Sequence, residues 1–272
     1  MPIIDGQTIS RTVRAELKTK IETMPRKPRL SILLCGDNPE SRRYVELKRK
    51  ASEEIGALCD IYHLPQPGME EVLSLITGLN EDSEVDGILV QLPLPEGLDE
   101  EKVLRSIDPT KDVDGFHPFN LGLSVSGTPL YVSCAAKAAL QVIDQSFGHA
   151  KPSCLLVGES NDLIYPLAIL MMKRGGTVTI VPSWEPGVEN QVYQVIILEK
   201  GEPASFTADK FAPGSLVIDG GFYYVDDRPV GNAKKDTFVE SQVSLLPVPG
   251  GLGPMLITML MQNLVRAVER DD

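Results

Sequence analysis

The stretch LSILLCGDNPESRRYVELKRKASEEIG, residues 30–56, decides how the rest of the chain is read. Its first six residues, 30–35, form an apolar run that predicts a buried strand. Gly36, Asp37, Asn38 and Pro39 then supply a turn. Residues 40–56 predict a helix, and Tyr44 and Lys48 lie four apart in it, so they project as neighbours from one face. A phenol and an amine near the start of a helix that follows a strand make a chemical platform. An ordinary solvated face carries the same pattern, because Arg42, Arg43, Lys48, Arg49 and Lys50 alternate with Glu46, Glu53 and Glu54.

Outward from this stretch, the helix–strand rhythm continues. Ile9, Val13, Leu17 and Ile21 recur every four residues and mark an amphipathic first helix. Residues 58–64 predict a strand, 69–79 a helix, and 86–92 (DGILVQL) a strand apolar enough to be covered on both faces. Alternating strands and helices imply right-handed βαβ units and a doubly wound parallel sheet. Ligands of such sheets bind beyond the carboxyl ends of the strands. That edge would gather the turn at Gly36, Gln91 at the end of a strand, and the segment KDVDGFHPFNLG, residues 111–122. In extended form that segment would aim Asp112 and Asp114 at one ligand, although aspartates also commonly stabilise turns. Gly, Ser, Asn and Pro residues over 118–129 suggest a hinge or a domain boundary.

A second α/β region begins near Cys134. Residues 135–147 predict a helix, 153–157 a strand, 158–161 a turn, 163–174 a helix and 177–181 a strand, with further strands at 195–198 and 215–219. This is the rhythm of a Rossmann-like dinucleotide domain. The loop LLPVPGGLGP, residues 245–254, precedes a final amphipathic helix over 255–270, and its glycines let backbone approach something flat or phosphorylated.

Bulk properties narrow the function. The chain has 272 residues, 42% of them hydrophobic and 24% charged, and a formal charge of −12. Such a balance opposes a nucleic-acid backbone or an anionic membrane as main partner. Cys35, Cys59, Cys134 and Cys154 form no CxxC pair and read as small buried hydrophobes of a reducing compartment. His63, His117 and His149 are too scattered to suggest a metal site. No apolar run approaches the roughly 20 residues of a membrane span. A cytoplasmic location is expected.

Four motifs then stand in register: Ser41, Tyr44, Val45, Lys48, Lys50 and Ala51 within SRRYVELKRKA; VQLPLP at 90–95; KDVDG at 111–115; and PVPGGLGPM at 247–255. Together they resemble the bifunctional methylenetetrahydrofolate dehydrogenase/methenyltetrahydrofolate cyclohydrolase family, over nearly the whole chain. The resemblance implies two α/β domains, with a folate-binding catalytic domain at 1–122 and 254–272 and a Rossmann-like NAD(P)-binding domain at 123–253. It further implies folate in the cleft between them, a C-terminal helix packing back on the first domain, and a homodimer. Carried over by motif, Lys48 is the acid/base group that helps add water to the methenyl bridge, a task an amine performs as proton donor and acceptor. Gln91 hydrogen-bonds and tunes Lys48, Tyr44 packs on the folate, and Asp114 accepts from the amino-pyrimidine edge of the pterin. Pro249, Gly250 and Gly251 contact the substrate. Gly158, Ser160, Ser183 and Gly253 are the positions matched to the cofactor, NADP. No metal is implied.

The second domain departs from the pattern. The family's phosphate turn usually carries a cation and a glycine where this chain has Glu159 and Ile164 within GESNDLIYP, residues 158–166. A carboxylate there repels the 2′-phosphate of NADP, and a branched side chain takes the space of a close helix approach. Tyr165 adds bulk. Of the histidine, serine and basic residue common after the next strand, only Ser183 is kept, between Pro182 and Trp184. A small Ala-Ala pair is replaced by Leu198 and Glu199, a proline-cysteine-threonine-proline stretch by Ser133, Cys134, Ala135 and Ala136, and a glycine-aspartate pair by Gly231 and Asn232. The dinucleotide pocket reads as filled in. The sequence therefore leaves open, beside the full bifunctional enzyme, a cyclohydrolase without its cofactor site and a non-catalytic folate-binding paralogue.

Overall fold

The computed structural model describes residues 2–148, 150–185, 187 and 192–271, so His149 lies outside the described residues. The chain forms two compact units, one of residues 11–132 and 257–272, the other of residues 1–10 and 133–256.

The first unit is built on a parallel three-stranded sheet of β1 (Arg29–Cys35), β2 (Leu58–Leu64) and β3 (Gly87–Val90), in the order β2-β1-β3. Strand period sends Leu33, Cys35, Ile88 and Val90 to one face, where Val72, Ile76 and Leu79 of α3 (Met69–Glu81) complete a core. The helix α2 (Pro39–Ile55) follows β1 and buries Val45, Ala51 and Ile55. Asn38 starts it, its side chain accepting from the N–H groups of Glu40 (2.8 Å) and Ser41 (3.1 Å). Gly56 ends it in the left-handed conformation, φ 89°, donating to Glu53 and Ser52 carbonyls.

Two segments differ from the sequence reading here. A short helix, α4 (Glu100–Arg105), and a longer one, α5 (Pro118–Ser126), follow β3, the second lying where a hinge was expected. Proline at the first helical position and a His117 Nδ1 acceptor for the Phe119 N–H (3.0 Å) make that stretch a capped helix. It is tied to its own unit by the Asn120 amide, which donates to the Pro109 carbonyl (3.0 Å) and to Asp112 (2.8 Å). Tyr131 Oη donates to the Thr110 carbonyl at 2.6 Å. The units accordingly divide at 132/133 instead of the expected 122/123.

The second unit holds a parallel five-stranded sheet of β4 (Ser153–Val157), β5 (Thr177–Val181), β6 (Val195–Leu198), β7 (Leu216–Asp219) and β10 (Ser244–Leu246), ordered β10-β7-β6-β4-β5. The helices α6 (Cys134–Phe147) and α7 (Ile164–Lys173) and a hairpin, β8 (Tyr223–Val225) with β9 (Arg228–Val230), complete it. The order reverses beside β4, the first strand of the unit in chain order: β5 lies on one side of it and β6 on the other. The N-terminal residues belong here because Ile4 N–H donates to the Leu245 carbonyl at 2.8 Å, beside a bridge from Ile3 to Leu245. Hence the opening decapeptide leaves the expected 1–122 domain. The residues of α1 (Gly6–Glu22) and α8 (Leu252–Asp271) are each divided between the units. Within the first unit α8 is held by Asn263 Nδ2, which donates to the carbonyls of Val113 (2.8 Å) and Val132 (3.0 Å). Among the described residues no helix is long and apolar enough to cross a membrane.

Candidate functional site

Three segments of the first unit end on one sheet edge. β1 delivers the chain to α2, which carries Tyr44 and Lys48. β3 runs parallel to β1, and Gln91 continues its ladder by donating to the Leu33 carbonyl at 2.9 Å. Residues 111–113 run parallel beside β3, with Ile88 N–H donating to the Lys111 carbonyl (2.8 Å) and Ile88 bridging to Asp112. Asp114 follows at once. This alignment works because Gly87 has no Cβ: an added one would stand 2.8 Å from Val113 and 3.0 Å from Leu264.

The decisive contact is between Lys48 and Gln91. Lys48 Nζ donates to Gln91 Oε1 at 2.9 Å. Gln91 is buried, and its Nε2 donates to the Leu92 carbonyl at 2.7 Å, which fixes the amide so that its oxygen faces the ammonium. The neighbouring charges of α2 are used differently. Arg49 pairs with Glu46 (2.7 Å) and with Glu53, and Lys50 pairs with Glu46 at 3.6 Å. Through its hydrogen bond to Arg49, Glu46 is held down to about 2. So one helix carries both a solvated ion-pair face and, one position from Arg49, a lysine turned to a buried amide. Tyr44, one turn earlier, is 42% exposed.

Asp112 and Asp114 take different parts instead of facing one ligand together. The segment turns at Val113 instead of staying extended, and Asp112 is 2% exposed. Its carboxylate accepts from the N–H groups of Phe116 (3.1 Å) and His117 (2.9 Å) and from Asn120 Nδ2 (2.8 Å). Asp114 is half-buried beside Gly115. The inward role of Asp112 has no local signal, since Asn120 lies eight residues away in a stretch whose composition suggests a hinge or boundary.

In the second unit, Gly158 and Ser160 sit in the turn after β4, and Ser183 is exposed after β5. Pro249 and Gly253 are exposed, Gly250 is half-buried with φ 95°, and Gly251 is buried. Gly6 packs against that loop so closely that a Cβ on it would stand 2.2 Å from the Gly251 carbonyl oxygen. Ile164 is fully buried on α7, whereas Tyr165 is 43% exposed. Trp184 turns into the core, edge-on to Phe206 (5.0 Å) and Phe211 (5.9 Å). Asn232 is buried too, donating to the Leu198 carbonyl at 2.8 Å. The most consequential substitution is Glu199, whose carboxylate lies on the turn itself and accepts from the Glu159 N–H (3.1 Å) and the Ser160 N–H (3.3 Å).

Residues 4–114 match the tetrahydrofolate dehydrogenase/cyclohydrolase catalytic domain, and residues 133–272 match the NAD(P)-binding domain of the same enzymes. The chain belongs to the tetrahydrofolate dehydrogenase/cyclohydrolase family. It is 41% identical to bifunctional protein FolD 1 of Syntrophomonas wolfei, over 99% of each chain. The crystal structure of a bifunctional FolD methylenetetrahydrofolate dehydrogenase/cyclohydrolase from Campylobacter jejuni is 31% identical, covers 99% of each chain and superposes with a TM-score of 0.91. A Trypanosoma brucei FolD solved with NADP and an inhibitor is 28% identical over 99% of this chain and 97% of its own, with a TM-score of 0.90. In this family member the amides that a dinucleotide phosphate would meet are already satisfied by Glu199. A phosphate group reaching that turn has to displace the Glu199 carboxylate.

Proposed function

We propose that the chain interconverts one-carbon units on tetrahydrofolate, hydrolysing methenyltetrahydrofolate to the formyl form and oxidising methylenetetrahydrofolate with NADP. The observation that carries this reading is the Lys48–Gln91 hydrogen bond at the strand ends. Family membership across both units supports the pairing of the two activities.

In the hydrolysis, water oxygen bonds to the electrophilic methenyl carbon and gives up one proton. A second proton then passes from that oxygen to the departing nitrogen as the carbon–nitrogen bond breaks, leaving the formyl group and one released proton. Lys48 is the group placed to take and return those protons, and Gln91 orients its nitrogen through the fixed amide. Tyr44 offers its ring face to the folate, and Asp114 accepts hydrogen bonds from the amino-pyrimidine edge of the pterin. Pro249, Gly250 and Gly251 are read as substrate contacts, and Gly158, Ser160, Ser183 and Gly253 as cofactor contacts. The formal charge of −12 disfavours nucleic acid as a partner. We read the protein as a homodimer working in the cytoplasm.

Replacing Lys48 with methionine tests the assignment while keeping most of the side chain's bulk. Following the loss of methenyltetrahydrofolate absorbance, Lys48→Met should lower kcat by roughly 100- to 10,000-fold, the usual contribution of a positioned acid/base group. Hydrolysis at an unchanged rate by a folded Lys48→Met protein rules the assignment out.

A further inference from the structure

We propose that Glu199 sets this chain's affinity for NADP by acting as an internal anion on the phosphate turn, which the cofactor has to displace. The inference rests on the reading that the second unit takes NADP. It adds to that reading a residue that controls access to the site.

The position is the one where an open parallel sheet binds nucleotides. Strand order reverses beside β4, and the crevice beyond the carboxyl ends of β4 and β6 is where such folds hold a dinucleotide. There the turn Gly158–Glu159–Ser160 leads into α7, so N–H groups and the helix dipole favour a negative charge. In this chain those donors are taken. Glu199 accepts from the amides of Glu159 and Ser160, and Ser160 Oγ accepts from those of Leu163 and Ile164, both at 3.2 Å. A phosphate oxygen arriving at the turn would meet a carboxylate first.

Glu199 is held in place from both ends. It directly follows β6, and its own N–H and that of Lys200 donate to the Val157 carbonyl at 2.9 and 3.2 Å. The side chain can reach the turn because residue 158 is glycine, φ 147°, and a Cβ there would stand 2.2 Å from Glu199 Oε2. Lys200 also forms an ion pair with Glu159, so the two loops are linked twice, in opposite directions. That ion pair is exposed and contributes little alone. The carboxylate on the amides is the principal link. Rotation of the Glu199 side chain would release the Glu159 and Ser160 amides, so on this proposal the arrangement lowers apparent affinity without abolishing the site.

If the turn is occupied by Glu199 for about 90–99% of the time, apparent affinity for a phosphate-bearing ligand falls by roughly 10- to 100-fold. Calorimetric titration of the full-length protein with NADP measures this directly. Glu199→Ala should tighten NADP binding by roughly 10- to 100-fold. Glu199→Gln, which keeps the shape and one acceptor oxygen while removing the charge, should give a smaller gain and controls for misfolding. If wild type binds NADP and neither variant binds it more tightly, Glu199 is not the controlling residue, although the NADP reading stands. If neither wild type nor variants bind NADP at all, both ideas fall together.

Discussion

Asp112 is a buried carboxylate that ties the segment after β3 to the start of α5. Burial pushes its carboxyl up to about 6, against the opposing hydrogen bonds from Asn120, His117 and Phe116, with the nearby Asp114 charge adding to the rise. From an ordinary value of 3.8 this is a raised pKa, so the folded chain holds the proton more tightly than the unfolded one. The sign follows: between about pH 4 and 6, folding stability contributed by Asp112 falls as pH rises, and it is largest below the unfolded value. Urea denaturation of wild type and Asp112→Asn across that window isolates the effect. The stability of wild type relative to the variant should decline with rising pH, by up to about 1.4 kcal/mol per unit. A difference that is flat or rises with pH contradicts the account. Sequence reading at this scale was uneven. Tyr44 and Lys48 were legible from i,i+4 spacing, and Lys48 could be separated from Arg49 and Lys50 only by the motif resemblance. The distinction between Asp112 and Asp114 was hidden, because it depends on a turn at Val113 and on an amide from a later helix.

At the scale of elements, the chemistry depends on where α2 starts. Asn38 fixes that point by accepting two backbone N–H groups, and one and a half turns later Tyr44 emerges, with Lys48 a turn beyond it. Asn38→Ala should lower folding stability by about 1 kcal/mol, as the loss of a helix N-cap generally does. A shift in the urea midpoint reads this out, and a variant as stable as wild type shows that the cap is not what anchors the helix. Short apolar strands were plain in the sequence: those over 58–64, 153–157, 177–181 and 195–198 agree with the structure residue for residue. The helix α5 was not, because its Pro, Asn, Gly and Ser content imitates a hinge while its start is set by a histidine cap. Strand β10 was missed because its three residues run into a proline-glycine loop.

For the whole molecule, the family resemblance conveyed the two-unit architecture, and the details of the division came from long-range contacts. The link from Ile4 to Leu245 and the bond from Tyr131 to Thr110 join positions that no local pattern connects. The altered cofactor positions were visible in the sequence one by one, but their consequences differ. Ile164, Trp184 and Asn232 serve the interior of the second unit, Glu159 pairs with Lys200, and Glu199 lays its carboxylate on the amides of the turn after β4. The first unit holds the Lys48–Gln91 hydrogen bond at its strand ends. If Lys48 and Gln91 act as one device, a double-mutant cycle on methenyltetrahydrofolate hydrolysis with Lys48→Met, Gln91→Met and the pair tests it most directly. If the device is a unit, kcat of the double variant should lie close to that of Lys48→Met alone. Losses that multiply, with each substitution costing the same whether or not the other is present, would contradict it.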